Sequence, residues 1–147
     1  MLRFMLLLAL CQVAQPATNY DIATAPIVHV IVEMRKAQDQ GLEELYDDVE
    51  KMFHKFGETY DIHFNRRNLE REEDFDSHGL YRAKYGLIGV NCIDLQDYFL
   101  DLDEDTYPVD IVHVICGQFS FSVCMTNSCP KDTFPNFVER RRSDRLH

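Results

Sequence analysis

Apolar residues recur along this chain with different periods, and each period predicts an element. After Pro26 the run Ile27-Val28-His29-Val30-Ile31-Val32 is β-branched and almost continuous, the pattern of a strand buried on both faces. From Leu42 to Phe56 the period changes. Leu42, Leu45, Tyr46, Val49, Met52, Phe53 and Phe56 recur at three and four, with Glu43, Glu44, Asp47, Asp48, Glu50 and Lys51 between them. That spacing predicts an amphipathic helix. Its early acids suit the positive end of the helix dipole, His54 and Lys55 suit the negative end, and Gly57 is placed to cap it.

Tyr60, Ile62 and Phe64 then alternate with Asp61, His63 and Asn65, which predicts a strand with one wet face. Arg66 to Gly79 is dense in charge with little periodicity, so a solvated loop or short exposed helix is expected. Leu80 to Val90 reads as a strand in which Gly86 and Gly89 mark a bulge or close packing. Asp94 to Asp105 is acidic around Leu95, Tyr98, Phe99, Leu100 and Leu102, a short helix followed by a loop. Pro108 precedes a second buried-type strand, Val109 to Cys116. Gly117-Gln118 can turn the chain into Phe119-Ser120-Phe121-Ser122-Val123, whose strict alternation predicts a half-exposed strand. The order is β-α-β-β-(short α)-β-β. It predicts an α/β fold, with α+β as the variant, built on a mixed sheet of about five strands and one long amphipathic helix. The first helix could join parallel strands and the last two strands could form a hairpin. Ile-Val-His-Val-Ile occurs at 27–31 and again at 111–115, an echo too short to read as a repeat and ascribed to the small alphabet of buried strands.

The N-terminus changes the compartment. Arg3 followed by the apolar run Phe4 to Leu10, with small residues near 11–17, reads as a secretory signal over residues 1–17. The run is far below the roughly 20 apolar residues of a membrane span. A buried N-terminal element, or a lipoprotein attached through Cys11, fits less well. Residues 18–137 are then expected to form one domain, and 138–147 a basic flexible tail with Arg140, Arg141, Arg142 and Arg145. That tail is most simply solvated, with a processing site or polyanion contact as alternatives. Net charge is −10, and losing Arg3 makes it −11. Such a charge repels phosphate backbones and anionic lipids, so neither nucleic acid nor membrane is an expected partner. Cys92, Cys116, Cys124 and Cys129 remain after the signal. Exported cysteines in even number predict two disulfides, in any of three pairings, each worth roughly 2–4 kcal/mol. A zinc site is the rival reading, but the usual CxxC anchor is missing.

Candidate chemistry is sparse. His54 is expected at the helix surface, His63 toward water, and His78 and His147 in the charged loop and at the terminus. His29 and His113 occupy matching places in the two apolar strands. They are the candidate metal or pH-sensitive pair, with satisfied core positions as the blander reading. No HExxH, Gly-x-Ser-x-Gly, Walker or GxGxxG pattern occurs, and bridged cysteines leave no spare thiol. Counting an EF-hand from Asp101 puts Thr106 at the glycine position and Val112 at the closing glutamate. Asp101 to Asp105 is therefore a solvated acidic loop able to steer a basic partner, with an irregular calcium site as the alternative. No catalytic residue, cofactor-binding residue or cofactor is assigned.

The order of elements resembles the N-terminal half of a reprolysin-type metzincin domain, in particular secreted arthropod members such as those of tick saliva. The similar segments are Pro26 to Val32 leading into a long helix, then Tyr85-Gly86-Leu87-Ile88-Gly89-Val90, then Asp110 to Gly117 and the strand up to Cys124, about residues 26–129. The family's zinc-binding helix has no counterpart, so the resemblance implies a truncated or repurposed relative without the peptidase site. Two functional readings follow. One is a secreted non-catalytic protein that binds another extracellular protein or a small ligand, with Phe119, Phe121, Phe134 and Phe137 as apolar contact candidates, the first two fitting the core better. The other is an enzyme, either a metzincin-like fragment inactive alone or a hydrolase whose site appears on folding. The oligomeric state is left open.

Overall fold

The computed structural model describes residues 26–77, 80–103, 105–126, 129 and 137–138. The expected signal sequence, His78, Phe134, His147 and the tail arginines lie outside the described residues.

β1 spans Val28–Met34. Val28, Val30, Val32 and Met34 are buried, while His29, Ile31 and Glu33 between them are half-buried. The expectation of a strand covered on both faces is therefore corrected, and β4 (Val109–Cys116) shows the same alternation along most of its length. Bulky β-branched residues fill both sides of these strands, but helices pack on one side.

α1 spans Leu42–Tyr60, a turn longer than its apolar period predicts. Gly57 lies inside it and is buried, so it is not the cap; Asp61, at φ 57°, ends the helix instead. The glycine serves a close approach. A Cβ there would sit 2.3 Å from the Ile62 carbonyl oxygen and 2.9 Å from the Phe64 ring. The strand expected over 60–65 is likewise corrected. Tyr60 belongs to the helix, and 62–65 is an extended connection whose Phe64 is buried near the Phe56 and His54 rings. Its alternation comes from packing onto α1, without a ladder partner among the described residues.

The strand lies further on, in the segment expected to be a loop. β2 spans Leu69–Ser77 and pairs with β3, Leu80–Leu87. α2 follows over Cys92–Asp101, capped by Asn91, whose side chain accepts hydrogen bonds from the Ile93 and Asp94 N–H groups. β5 spans Phe119–Cys124 and β6 Phe137–Val138. The sheet order is β2-β3-β1-β4-β5-β6. Pairing is antiparallel except between β5 and β6. The result is a disulfide-braced α/β fold with the expected order of elements and the expected hairpin of β4 and β5. The parallel partner expected at 60–65 is absent, and it is β2 that runs parallel to β1, with β3 between them.

The core lies on one face. Leu45, Val49, Met52, Phe53 and Phe56 of α1 meet Leu95 and Phe99 of α2 over Val30, Tyr85, Val114 and Phe121, which the strand registers place side by side. The Tyr98 hydroxyl donates to the Met52 carbonyl across 2.9 Å and ties the helices together. Phe121 is buried here and Phe119 packs against the same cluster, so neither forms an exposed contact surface. The bridges are Cys92–Cys116 and Cys124–Cys129. The first joins the start of α2 to the end of β4, so bracing reaches a helix as well as the C-terminal strands.

Candidate functional site

Alternation sends every second strand residue to the face opposite the helices. The registers define three rows across that outer face. One runs Glu70, Gly86, His29, Ile115, Ser120; the next Glu73, Lys84, Ile31, His113, Ser122; the third Phe75, Arg82, Glu33, Ile111, Cys124. The echoed pentapeptides thus meet. β1 and β4 are adjacent and antiparallel, with His29 opposite Ile115 and Ile31 opposite His113. Two histidines and two isoleucines form a checkerboard with local two-fold symmetry.

His29 and His113 therefore share one face at diagonal positions, as their matching places suggested, but neither sits in the core. Each has its own partner. His29 Nδ1 lies 3.0 Å from Glu72 Oε2, and the Lys84 ammonium reaches the same oxygen at 3.0 Å. Glu72 occupies a register shift in β2, and its carboxylate lies over Gly86, where a Cβ would come within 2.5 Å of it. Gly86 marks the close packing its position in the strand suggested. Partial burial works to raise the Glu72 carboxyl. The hydrogen bond from Lys84 and the charges of His29 and Lys84 outweigh it, leaving the group below the usual carboxylate range. The same hydrogen bond raises Lys84.

His113 Nδ1 lies 2.7 Å from the Ser122 hydroxyl. A histidine beside a serine is the start of a nucleophile–base pair. Here Ser122 is fully buried, and burial pushes His113 below its ordinary value, so the geometry describes a satisfied polar contact rather than an activated nucleophile. Glu33 and Arg82 complete the face as an ion pair. Among the described residues, no group of three or more His, Cys, Asp or Glu side chains could hold a metal ion.

Other candidates are dispersed. The acidic loop turns its Asp105 carboxylate to the Arg35 guanidinium, 2.7 Å away, and Asp110 takes the same cation. His54 and His63 are exposed, as expected. The four cysteines are consumed in bridges. Glu72, Lys84 and Ser122 were not singled out by sequence reasoning. Gly86 was the available signal for Glu72; for Ser122 the alternation with Phe119 and Phe121 gave its face but not its partner.

Among the described residues β2 forms the free end of the sheet. On its helix side Arg71 lies 4.1 Å from the Tyr46 ring centroid and 3.3 Å from Glu43, and the Tyr46 hydroxyl reaches Asp74 at 3.4 Å. α1 thus holds β2 largely through polar side chains. On the outer side Phe75 is 54% exposed.

A family model for secreted clade V proteins matches residues 28–123, more than half of the chain. No curated protein and no solved structure matches. The metzincin resemblance is thereby corrected. It rested on apolar strand runs in a familiar order, and such runs recur in unrelated sheets because buried strands draw on few residue types. No helix among the described residues is long and apolar enough to cross a membrane.

Proposed function

The chain belongs to the secreted clade V proteins, and from that premise we propose that this secreted protein is a non-catalytic binding protein, a disulfide-braced scaffold that engages another extracellular protein through the outer face of its sheet. The observation that carries the reading is that both described helices cover one face of the sheet. The opposite face is left half-exposed at His29, Ile31, Arg82 and Lys84, while Ile111, Ser122 and Cys124 at its β4–β5 end are buried. Half-buried Ile31 and Ile115 stand there beside His29, Lys84 and Arg82, and Phe75 projects at the edge. A surface that mixes apolar area with paired, directional charges is suited to recognition. The buried Ser122 and the histidines' separate partners, Glu72 and Ser122, argue against chemistry on the same face.

The test is capture of extracellular proteins on the immobilised chain, followed by cross-linking to locate the contact. Ile31→Asp with Phe75→Ser should lower capture at least tenfold while the circular dichroism spectrum is retained. Glu44→Lys with Asp47→Lys, on the exposed side of α1, should leave it within twofold. The reverse pattern, or cross-links confined to the helix side, would overturn the reading.

A further inference from the structure

β2 ends the six-stranded sheet, and the described residues place no strand beyond it. Nine residues long, it presents roughly 30 Å of backbone with alternate N–H and C=O groups directed away from β3. A long free edge is a template for another strand unless something blunts it, and β2 is interrupted once, by the register shift at Glu72. Two features decide what this edge accepts. Glu70 and Glu73 lie on the outer face of β2 in register with Gly86 and Lys84, and neither makes a hydrogen bond or ion pair with a described residue. Phe75, on that same face, is the most exposed large apolar side chain among the described residues.

Taking the binding reading as its basis, we propose that the free edge of β2 docks an extended basic segment of a different protein, which adds to the sheet as an outer strand. Main-chain hydrogen bonds along 69–77 supply affinity without regard to sequence, while side chains at every second position supply specificity. The incoming strand carries lysine or arginine at the alternate positions that face Glu70 and Glu73, and an apolar residue against Phe75. The acids that select this strand also reject the obvious competitor. Pairing β2 with β2 of a second copy would set glutamates against glutamates, and like charges directly opposite in a sheet are destabilising. The chain's own basic tail is a poorer match, since Arg140, Arg141 and Arg142 are consecutive and would point to both faces.

The experiment uses the full secreted chain and a short capped peptide with lysine at two successive alternate positions, valine at the third and threonine between them, followed by fluorescence anisotropy and by hydrogen exchange. The peptide should bind, and the outward-pointing β2 amides should exchange at least tenfold more slowly with it present. The same peptide methylated on alternate backbone nitrogens keeps its charge but loses its strand donors, and it should bind at least tenfold more weakly. Glu70→Lys with Glu73→Lys should weaken the parent peptide at least tenfold, whereas Glu44→Lys with Asp47→Lys, an equal change of charge on α1, should leave it within twofold. Equal binding of parent and methylated peptides would reduce the contact to nonspecific charge attraction and overturn the proposal. So would protection elsewhere than β2, absence of binding, or a concentration-dependent dimer that the β2 substitutions abolish. Failure here with capture still lost on Ile31→Asp and Phe75→Ser would sink the edge assignment alone; failure of both would sink the binding reading.

Discussion

The helix-covered and outer faces of the sheet are made by the same strands, residue by alternate residue, yet they are held by different forces. On the covered face Val30, Tyr85, Val114 and Phe121 sit under Phe53, Phe56 and Phe99 with almost no exposure, so stability there scales with apolar area removed from water. On the outer face the neighbours of those residues meet in local pairs, His29 and Lys84 with Glu72, His113 with Ser122, Arg82 with Glu33. Such pairs fix side-chain positions and contribute little to stability where solvent reaches them. The bridges divide in the same way: Cys116 belongs to the covered face and Cys124, opposite Ile111, to the outer one. The covered face builds the fold, and the outer one is open to variation where its side chains are half-exposed, at His29, Ile31, Arg82 and Lys84, but not at the buried Ile111, Ser122 and Cys124.

Substitution on the two sides of the sheet is the strongest way to break that contrast. Phe53→Ala should cost about 3–5 kcal/mol, read as a fall in urea midpoint or outright unfolding, whereas Lys84→Ala should cost about 1 kcal/mol or less. A similar loss from both would show that the outer face also carries the fold. Next in size are the bridges. Cys92→Ala with Cys116→Ala should cost about 3.5 kcal/mol and Cys124→Ala with Cys129→Ala about 2, because the first closes the longer loop. Equal losses would point to native-state packing instead of loop length.

A third comparison uses one chemical change on either side. Gly57→Ala forces a Cβ against a backbone carbonyl that cannot swing away and should cost about 1–3 kcal/mol. Gly86→Ala meets the end of the Glu72 side chain, which can move. Its stability should stay within about 1 kcal/mol, while the His29 ring resonances shift as the carboxylate leaves. The smallest effect is titration. Because burial holds His113 below its unfolded value near 6.5, the unfolded chain binds the proton first. The stability tied to the neutral ring is complete above that pH and is lost as pH falls through the folded value. His113→Asn should flatten the slope of stability with pH below about 6.5; an unchanged slope would assign it to other groups.

The difference between the faces also explains what could be read from residues alone. α1 and β1 are legible because a strong apolar period against a core is a local property. β2 is not. Its segment has Leu69 and Phe75 as its apolar residues amid Glu70, Arg71, Glu72, Glu73, Asp74 and Asp76. It is a strand because β3 offers a ladder and Tyr46 and Glu43 of α1 hold its inward polar side chains. Tyr60, Ile62 and Phe64 mislead for the converse reason: they alternate, but the continuing helix and the close approach at Gly57 claim them first.

The sequence by itself determined the strands and helices outside 60–77, the long amphipathic helix, the cysteines available for bridging and the matching places of His29 and His113, since each depends on residue type and spacing along the chain. Tertiary structure decided which cysteines pair, which face of each apolar strand is left without helices, that the two histidines stand diagonally with Glu72 and Ser122 as separate partners, and that an acidic, aperiodic segment forms the edge of the sheet. Those outcomes depend on groups brought together from distant positions, where register and burial decide between partners that local pattern cannot rank.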